Sequence, residues 1–432
     1  NLDVWYERVS VRAIGELIET RLAEAGELEA VRQLDPDGDW AGALSHARVP
    51  FVSYSYEWTF SMLQDAARLQ LRLTAAALDE GLTLKDASPY NVQWQGARPV
   101  FIDVGSFERA RPGEPWVAYR QFCMLYLYPL LLEAYRGVAF QPWLRGSPGG
   151  ITPEQFRALF TRRDALRPGM LKHVFLLAAL ERRNPGSGAD VRDELTAAGF
   201  DTRLAKANVV SLAKLVDRLS SASSRGSWED CRSACTYDDD DAAQKAEFVE
   251  RVVARTKRRL VWDLGCNDGR YAEIASENAD LTLAVDSDPG VVDVLYRKLR
   301  AGGSQAILPL VVDLLNPSPA LGWRNVERGT LVERGRPQLV LCLALVHHLS
   351  ITGNVPLREV VVWLRSLDSE VVVEFPHRDD PMVQRLLAAK GAGAHPDYER
   401  DRFERVLGDA LDVTDSCELP SGARTLYLAR PR

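Results

Sequence analysis

Val261-Trp-Asp-Leu-Gly-Cys-Asn-Asp-Gly269 decides how the second half of this chain folds. An apolar run ends at Asp263, Gly265 and Gly269 flank a tight turn, and a helical pattern opens near Arg270. Glycine suits such a turn because, without a Cβ, its backbone takes positive φ freely and lets a ligand approach closely. The third position of the usual glycine triplet is Asn267, and an acid leads the motif. The asparagine departs from a strict dinucleotide fingerprint, and the leading acid suits a ligand that carries an amino acid better than one that carries a pyrophosphate.

The residues around the turn extend the pattern. Asp286 ends the next apolar strand, 23 residues after Asp263, where a carboxylate can accept both hydroxyls of a ribose. Asp313 ends a third strand, in Leu308-Pro-Leu-Val-Val-Asp313, where an acid can face an adenine amino group. A fourth strand runs from Gln338 to Leu345 and leads directly into Val346-His-His-Leu349. Apolar strands are predicted at 260–264, 281–285, 307–312, 339–345, 371–375 and 425–429, alternating with amphipathic helices. That alternation predicts an α/β domain with a Rossmann-like, doubly wound parallel sheet over 236–432.

In order and spacing these motifs resemble those of class I S-adenosylmethionine (SAM) methyltransferases. The resemblance implies SAM as the cofactor and a small or medium-sized metabolite as the methyl acceptor. It implies that Asp263 and Gly265 lie near the methionine part, Asp286 near the ribose, and Asp313 with Leu314 near the adenine, with Cys266, Asn267, Gly269 and Ser287 also at the cofactor. Leu345 completes that set. Upstream, Tyr237 and Lys245 belong to a segment expected to fold over the cofactor, with Lys245 pairing its carboxylate. The acidic run 238–241 is read as a helix cap that offsets the dipole. Methyl transfer needs alignment of nucleophile, methyl and sulfur, and for some acceptors a base. His347, His348 and Glu374 are the candidate catalytic residues. Trp323, Arg324, Asn325 and His377 are the candidate substrate contacts.

The first half is read as a mixed α+β, mostly helical region, an α+β part over 1–110 and a helical part over 111–225, with 220–227 as the linker. A helical pattern is predicted at Ile14, Leu17, Ile18 and Leu22, a second helix over 58–78, and a hairpin around Gly96. Lys85-Asp-Ala-Ser-Pro-Tyr-Asn91 followed by Phe101-Ile-Asp-Val-Gly105 resembles the catalytic loop and metal-binding strand of kinase-like phosphotransferases. That resemblance makes Asp86 a base and Asn91 and Asp103 magnesium ligands. No glycine-rich phosphate loop precedes it, so a degenerate kinase-like or substrate-binding domain is expected, with a local coincidence of residues as the other reading. Together, these stretches and the methyltransferase motifs resemble a bacterial family of methyltransferases related to host-specific nodulation proteins. Two other functions stay open on sequence: a phosphotransferase-like enzyme or regulator, and a SAM-responsive scaffold without catalysis.

A net charge of -7, spread along 432 residues, argues against a long nucleic acid as partner. The longest apolar stretch, 122–132, is too short to span a bilayer, and residues 1–6 do not read as a signal peptide. Cys266 and Cys342 fall in apolar runs that predict buried thiols, and Cys231 and Cys235 lack a second Cys or His pair for zinc. A reduced, cytoplasmic protein without a bound metal is the expectation. The sequence carries no sign of its oligomeric state.

Overall fold

The computed structural model describes residues 16–34, 43–111, 114–183, 202–222, 239–391 and 393–432. The chain divides into two compact units, one of residues 1–94 and 99–222, the other of 95–98 and 223–432.

In the first unit, strands β1 (Thr20–Leu22) and β2 (Leu44–His46) pair antiparallel, as do β3 (Leu82–Leu84) and β6 (Phe107–Arg109). The predicted hairpin is β4 (Val92–Gln95) and β5 (Arg98–Phe101). Helix α1 (Phe60–Asp79) begins where Thr59 accepts a hydrogen bond from Met62 N, and it buries Met62, Leu63, Ala66, Ala67 and Leu71. Helix α2 (Thr202–Arg218) packs on it, and the buried Gln64 donates to the carbonyls of Val216 and Leu219 at 2.7 and 2.9 Å. The helical pattern predicted near the start is corrected. Leu17 bridges Phe101 in parallel, and Leu22 lies in β1. Neighbouring apolar residues at 17 and 18 fit either structure, and an available backbone partner at Phe101 decides for the extended one. Ile14 lies outside the described residues.

The second unit is built on a seven-stranded sheet of order β12-β13-β11-β10-β7-β8-β9. These strands are β7 (Arg258–Leu264), β8 (Ala279–Asp286), β9 (Ile307–Val311), β10 (Leu339–Cys342), β11 (Glu370–Pro376), β12 (Leu411–Glu418) and β13 (Arg424–Pro431). The five from β7 to β11 are parallel, whereas β13 runs antiparallel to both β11 and β12. The all-parallel expectation is therefore corrected to a mixed sheet. Only residues 419–423 join β12 to β13, and so short a connection makes a hairpin. Sequence reading missed β12 because it is a half-exposed edge strand whose side chains are mostly polar.

Helices α3 (Asp239–Ala254), α4 (Arg270–Ser276), α5 (Pro289–Ala301), α6 (Leu357–Ser366), α7 (Pro381–Lys390) and α8 (Arg400–Ala410) accompany the sheet. Phe248, Val249, Val252 and Val253 of α3 join Val261, Leu339, Leu341, Val372, Leu426 and Leu428 in one apolar cluster. The chain leaves β7 for β8 and β9 on one side, and for β10 and β11 on the other. Ligands of such sheets bind outside the carboxyl ends of the strands at that switch point. Among the described residues no helix is long and apolar enough to cross a membrane. Cys266 and Cys342 are buried free thiols.

Candidate active site

The turn after β7 is held first by backbone. Gly265 N and Cys266 N both donate to Val285 O, at 2.8 and 2.9 Å, which clamps the turn to the end of β8. Gly265, Asn267 and Gly269 have φ of 73°, 47° and 83°. At Gly269 a Cβ would sit 2.4 Å from Leu295 Cδ1 of α5, so glycine there also serves helix packing. Asparagine tolerates the left-handed region better than most residues, which explains its place in the glycine triplet.

Asp286 accepts from Asn267 N at 3.2 Å and from Asp288 N at 3.0 Å, so its carboxylate joins the two turns. Asp288 caps α5 through Gly290 N and Val291 N. Asp313 accepts from Leu315 N at 2.9 Å, and Val312 N donates to Asp286 O at 2.8 Å. A cavity of about 560 Å³ opens at this end of the sheet. Gly265, Asn267, Asp286, Ser287, Asp313, Leu314, Leu345, His347 and His348 line it, together with Ala344, Met382 and Arg424. Nine residues singled out from sequence thus meet in one cleft of the size that drug-sized ligands occupy.

Behind the cavity lies a buried charge network. Lys245 and Glu374, 1% and 0% exposed, pair at 2.5 Å between Nζ and Oε2. Arg424 reaches Glu374 Oε1 at 3.1 Å and Asp380 Oδ2 at 2.6 Å, and Asp380 Oδ1 caps α7. Burial alone would raise the Glu374 carboxyl, but Lys245 and Arg424 outweigh it and hold it down at about 2. The expectation that Glu374 borders a methyl acceptor is therefore corrected: it does not line the cavity, and both of its oxygens are engaged. Lys245 likewise meets Glu374 instead of a ligand carboxylate, with its Nζ 4.8 Å above the Tyr271 ring.

Glu374 Oε2 also accepts from Ala344 N at 2.8 Å. Ala344 is left-handed, with φ 48°. Such a backbone costs an alanine about 1–2 kcal/mol. A hydrogen bond to a charged acceptor contributes about 1.5–3 kcal/mol, enough to hold the conformation. From Ala344 the chain turns into a helical segment, with His348 N and Leu349 N both donating to Leu345 O. His347 is 2% exposed, packs its ring 4.2 Å from that of His348, and has no hydrogen-bond partner at Nδ1. Burial, reinforced by His348, keeps its imidazole well below the usual histidine range, and therefore neutral.

Asp263 is buried outside the cavity lining, with Oδ2 lacking a partner. Burial pushes its carboxyl up to about 7 against the pull of Lys245. An unfolded aspartate titrates near 4, so between about pH 4 and 7 the folded chain holds a proton that the unfolded chain has released. Stability attributable to this group accordingly falls as pH rises through that window, and is level above it. Asp263→Asn is expected to remove this component. Its unfolding free energy, relative to the parent, should rise by up to about 1.4 kcal/mol per pH unit between pH 4 and 7. A constant difference in denaturant titrations across that range would refute the raised pKa.

Other sequence-selected residues lie elsewhere. Cys266 and Gly269 are buried in the turn and do not line the cavity. Trp323, Arg324 and Asn325 form a surface turn, with Trp323 77% exposed, outside the cavity lining. The polar stretch that suggested a substrate loop is a tight surface hairpin, closed by the Leu321–Arg328 bridge. His377 is buried and bonds Thr425 Oγ1 at 2.9 Å, also away from the lining. Tyr237 lies outside the described residues, as does most of the expected linker 220–227. Of the acidic run, Asp239, Asp240 and Asp241 fall in the first turn of α3. Asp241, however, binds Ser421 through its N at 2.9 Å and its Oγ at 2.7 Å. In the first unit, Asp86 accepts from Ser88 N at 2.8 Å. Burial, then the charge of Asp86, raises the Asp103 carboxyl. Among the described residues no group of His, Cys, Asp and Glu is arranged to hold a metal ion.

No family model matches the sequence. The nodulation protein NoeA of Rhizobium meliloti (strain 1021) is 33% identical over 428 residues, covering 96% of this chain and 88% of that protein. The chain belongs to the NoeA family. Among solved structures, this NoeA relative is similar to the N-methyltransferase NodS from Bradyrhizobium japonicum WM9, at 13% identity and a TM-score of 0.33. That likeness covers 45% of the chain and 99% of NodS. It is also similar to magnesium protoporphyrin IX methyltransferase (ChlM) from Synechocystis PCC 6803 with bound S-adenosylhomocysteine (SAH), at 17% identity and a TM-score of 0.33. There 47% of the chain and 92% of ChlM are covered. Sequence reading missed Arg424, Ala344 and Met382 in the NoeA-family site. Arg424 stands at the start of the last predicted strand, where an arginine reads as a flank, and no local signal marks the other two.

Proposed function

We propose that the second unit binds SAM in this cavity and transfers its methyl group to a small or medium-sized metabolite. The observation that carries the reading is the convergence of the Gly265 turn, Asp286, Asp313 and the two histidines around one cleft. The cleft fits such a ligand chemically. Two carboxylates, Asp286 and Asp313, line it as acceptors for hydroxyl and amino donors, and a glycine leaves room at the turn. Bound SAM supplies an electrophilic methyl on a sulfonium, already a good leaving group.

The remaining work falls to the chain. Asp286 accepts the ribose hydroxyls while its two backbone N–H donors fix its direction. Leu314, Leu315 and Leu349 give the cleft apolar wall. His347, neutral and lining the cleft, takes a proton from the acceptor where the acceptor must lose one. Arg424 provides a cationic edge to the same cleft.

Calorimetry on the full chain tests this. SAH is expected to bind the parent protein, and Asp286→Ala to weaken it by about 1.5–3 kcal/mol through loss of a charged acceptor. Unchanged SAH affinity in folded Asp286→Ala would sink the ribose assignment, and no binding to the parent would sink the whole reading. Labelled SAM incubated with a metabolite pool then identifies the acceptor.

A further inference from the structure

We propose that Glu374 is the positioning residue of this site: it holds Ala344 in its left-handed turn and thereby sets where His347 and His348 stand. The proposal rests on the reading of the cleft as a methyl-transfer site, and gives its acceptor side a mechanical basis.

The geometry is specific. Glu374 Oε2 receives Lys245 Nζ and Ala344 N together, and Oε1 receives Arg424. Lys245 comes from α3 and Arg424 from the first residue of β13, so two elements fix the carboxylate before it meets the turn. The strand carrying Glu374 is itself in register with both neighbours: Val373 faces Cys342 of β10, and Glu374 faces Leu426 of β13. Ala344 is two residues beyond Cys342, where β10 ends and the helical turn of the histidines begins. A change of φ at Ala344 swings everything after it. The side chain of residue 344 is a methyl and makes no polar contact, so the direction of the turn is set through its N–H. Glu374 does not line the cleft, and the role follows from the atom it binds rather than from proximity to an acceptor.

The test uses the full chain and needs no acceptor. In a Lys245→Met/Glu374→Met double variant the carboxylate is gone while one cation and one anion leave together, and Arg424 keeps Asp380. Ala344 amide exchange is expected to accelerate at least tenfold, and the ring nitrogens of His347 and His348 to shift in spectra of protein labelled at its six histidines. Glu370→Gln is the control: Glu370 lies four residues earlier on β11 and pairs with Arg258 at 2.6 Å, at the other end of the strand. It is expected to leave Ala344 and both rings unmoved. Unchanged exchange and rings in the folded double variant would overturn the proposal, as would equal changes in Glu370→Gln. If the double variant does not fold, the parent decides. There Ala344 must exchange as slowly as Leu341 in β10, and exchange at the rate of an exposed amide overturns the proposal. Failure of SAH to bind the parent would remove the methyltransferase reading and leave these outcomes legible.

Discussion

Arg424→Met is expected to lower the unfolding free energy of the protein by about 3–5 kcal/mol, the cost of leaving buried charge without its partner. Arg424 is 3% exposed and serves two carboxylates, Glu374 and Asp380, both buried. Its loss strands them unequally. Glu374 keeps Lys245 and Ala344 N, whereas Asp380 keeps only the backbone donors of α7. Methionine matches the length of the stem, so packing changes little and the electrostatic part dominates. Arg424→Lys preserves the charge with a single reach and should cost less than Arg424→Met. Denaturant midpoints of the two variants check the order. If Arg424→Met proves as stable as the parent, the network contributes nothing net, as happens when an apolar replacement offsets desolvation.

Gly265→Val should raise the dissociation constant of SAH at least about 100-fold, equivalent to about 2.7 kcal/mol. Two effects act together. Valine at φ 73° is a β-branched residue in a region it almost never visits, at a cost of order 1–3 kcal/mol. Its side chain would also project beside Leu345, whose Cδ1 lies 3.5 Å from the Cβ position, and into a cleft that Gly265 lines. The first unit has no stake in this turn and should retain its helical signal. Calorimetry and circular dichroism on the same sample separate the two outcomes. Normal SAH binding in a folded variant would mean that the cleft is not where the ligand sits.

Much of the second unit was legible because its strands are buried on both faces and read as unbroken apolar runs. The glycine turn was equally plain, since positive φ restricts the choice of residue. Long-range pairing left no local mark. Glu374 and Lys245 are 129 residues apart, and nothing near either foretells that they meet. A glutamate at the end of a strand looked like a base for the same reason that it makes a good anchor: it is a charged group placed beside the cleft. Trp323 and Arg324 misled in the opposite way, because polar and aromatic residues also populate ordinary surface turns. In the first unit the pattern at Leu17 and Ile18 was too short to separate a helix from a strand, and only Phe101 resolved it.

The placement of β13 has a bearing on synthesis. Of the seven strands it is the last to leave the ribosome, yet it sits inside the sheet, between β11 and β12. It also delivers Arg424, while the turn just before it receives Asp241 from α3, the earliest described helix of the unit. Translation must therefore reach Ser421 before Asp241 of the first helix finds its partner. Until then α3, with Lys245 on it, waits for a carboxylate whose own neighbours are incomplete. Nascent chains interrupted before residue 424 would carry the glycine turn and both histidines, but no closed floor beneath them. A ribosome-stalled or truncated product lacking β13 is expected to be inert toward SAH and open to proteolysis at α3.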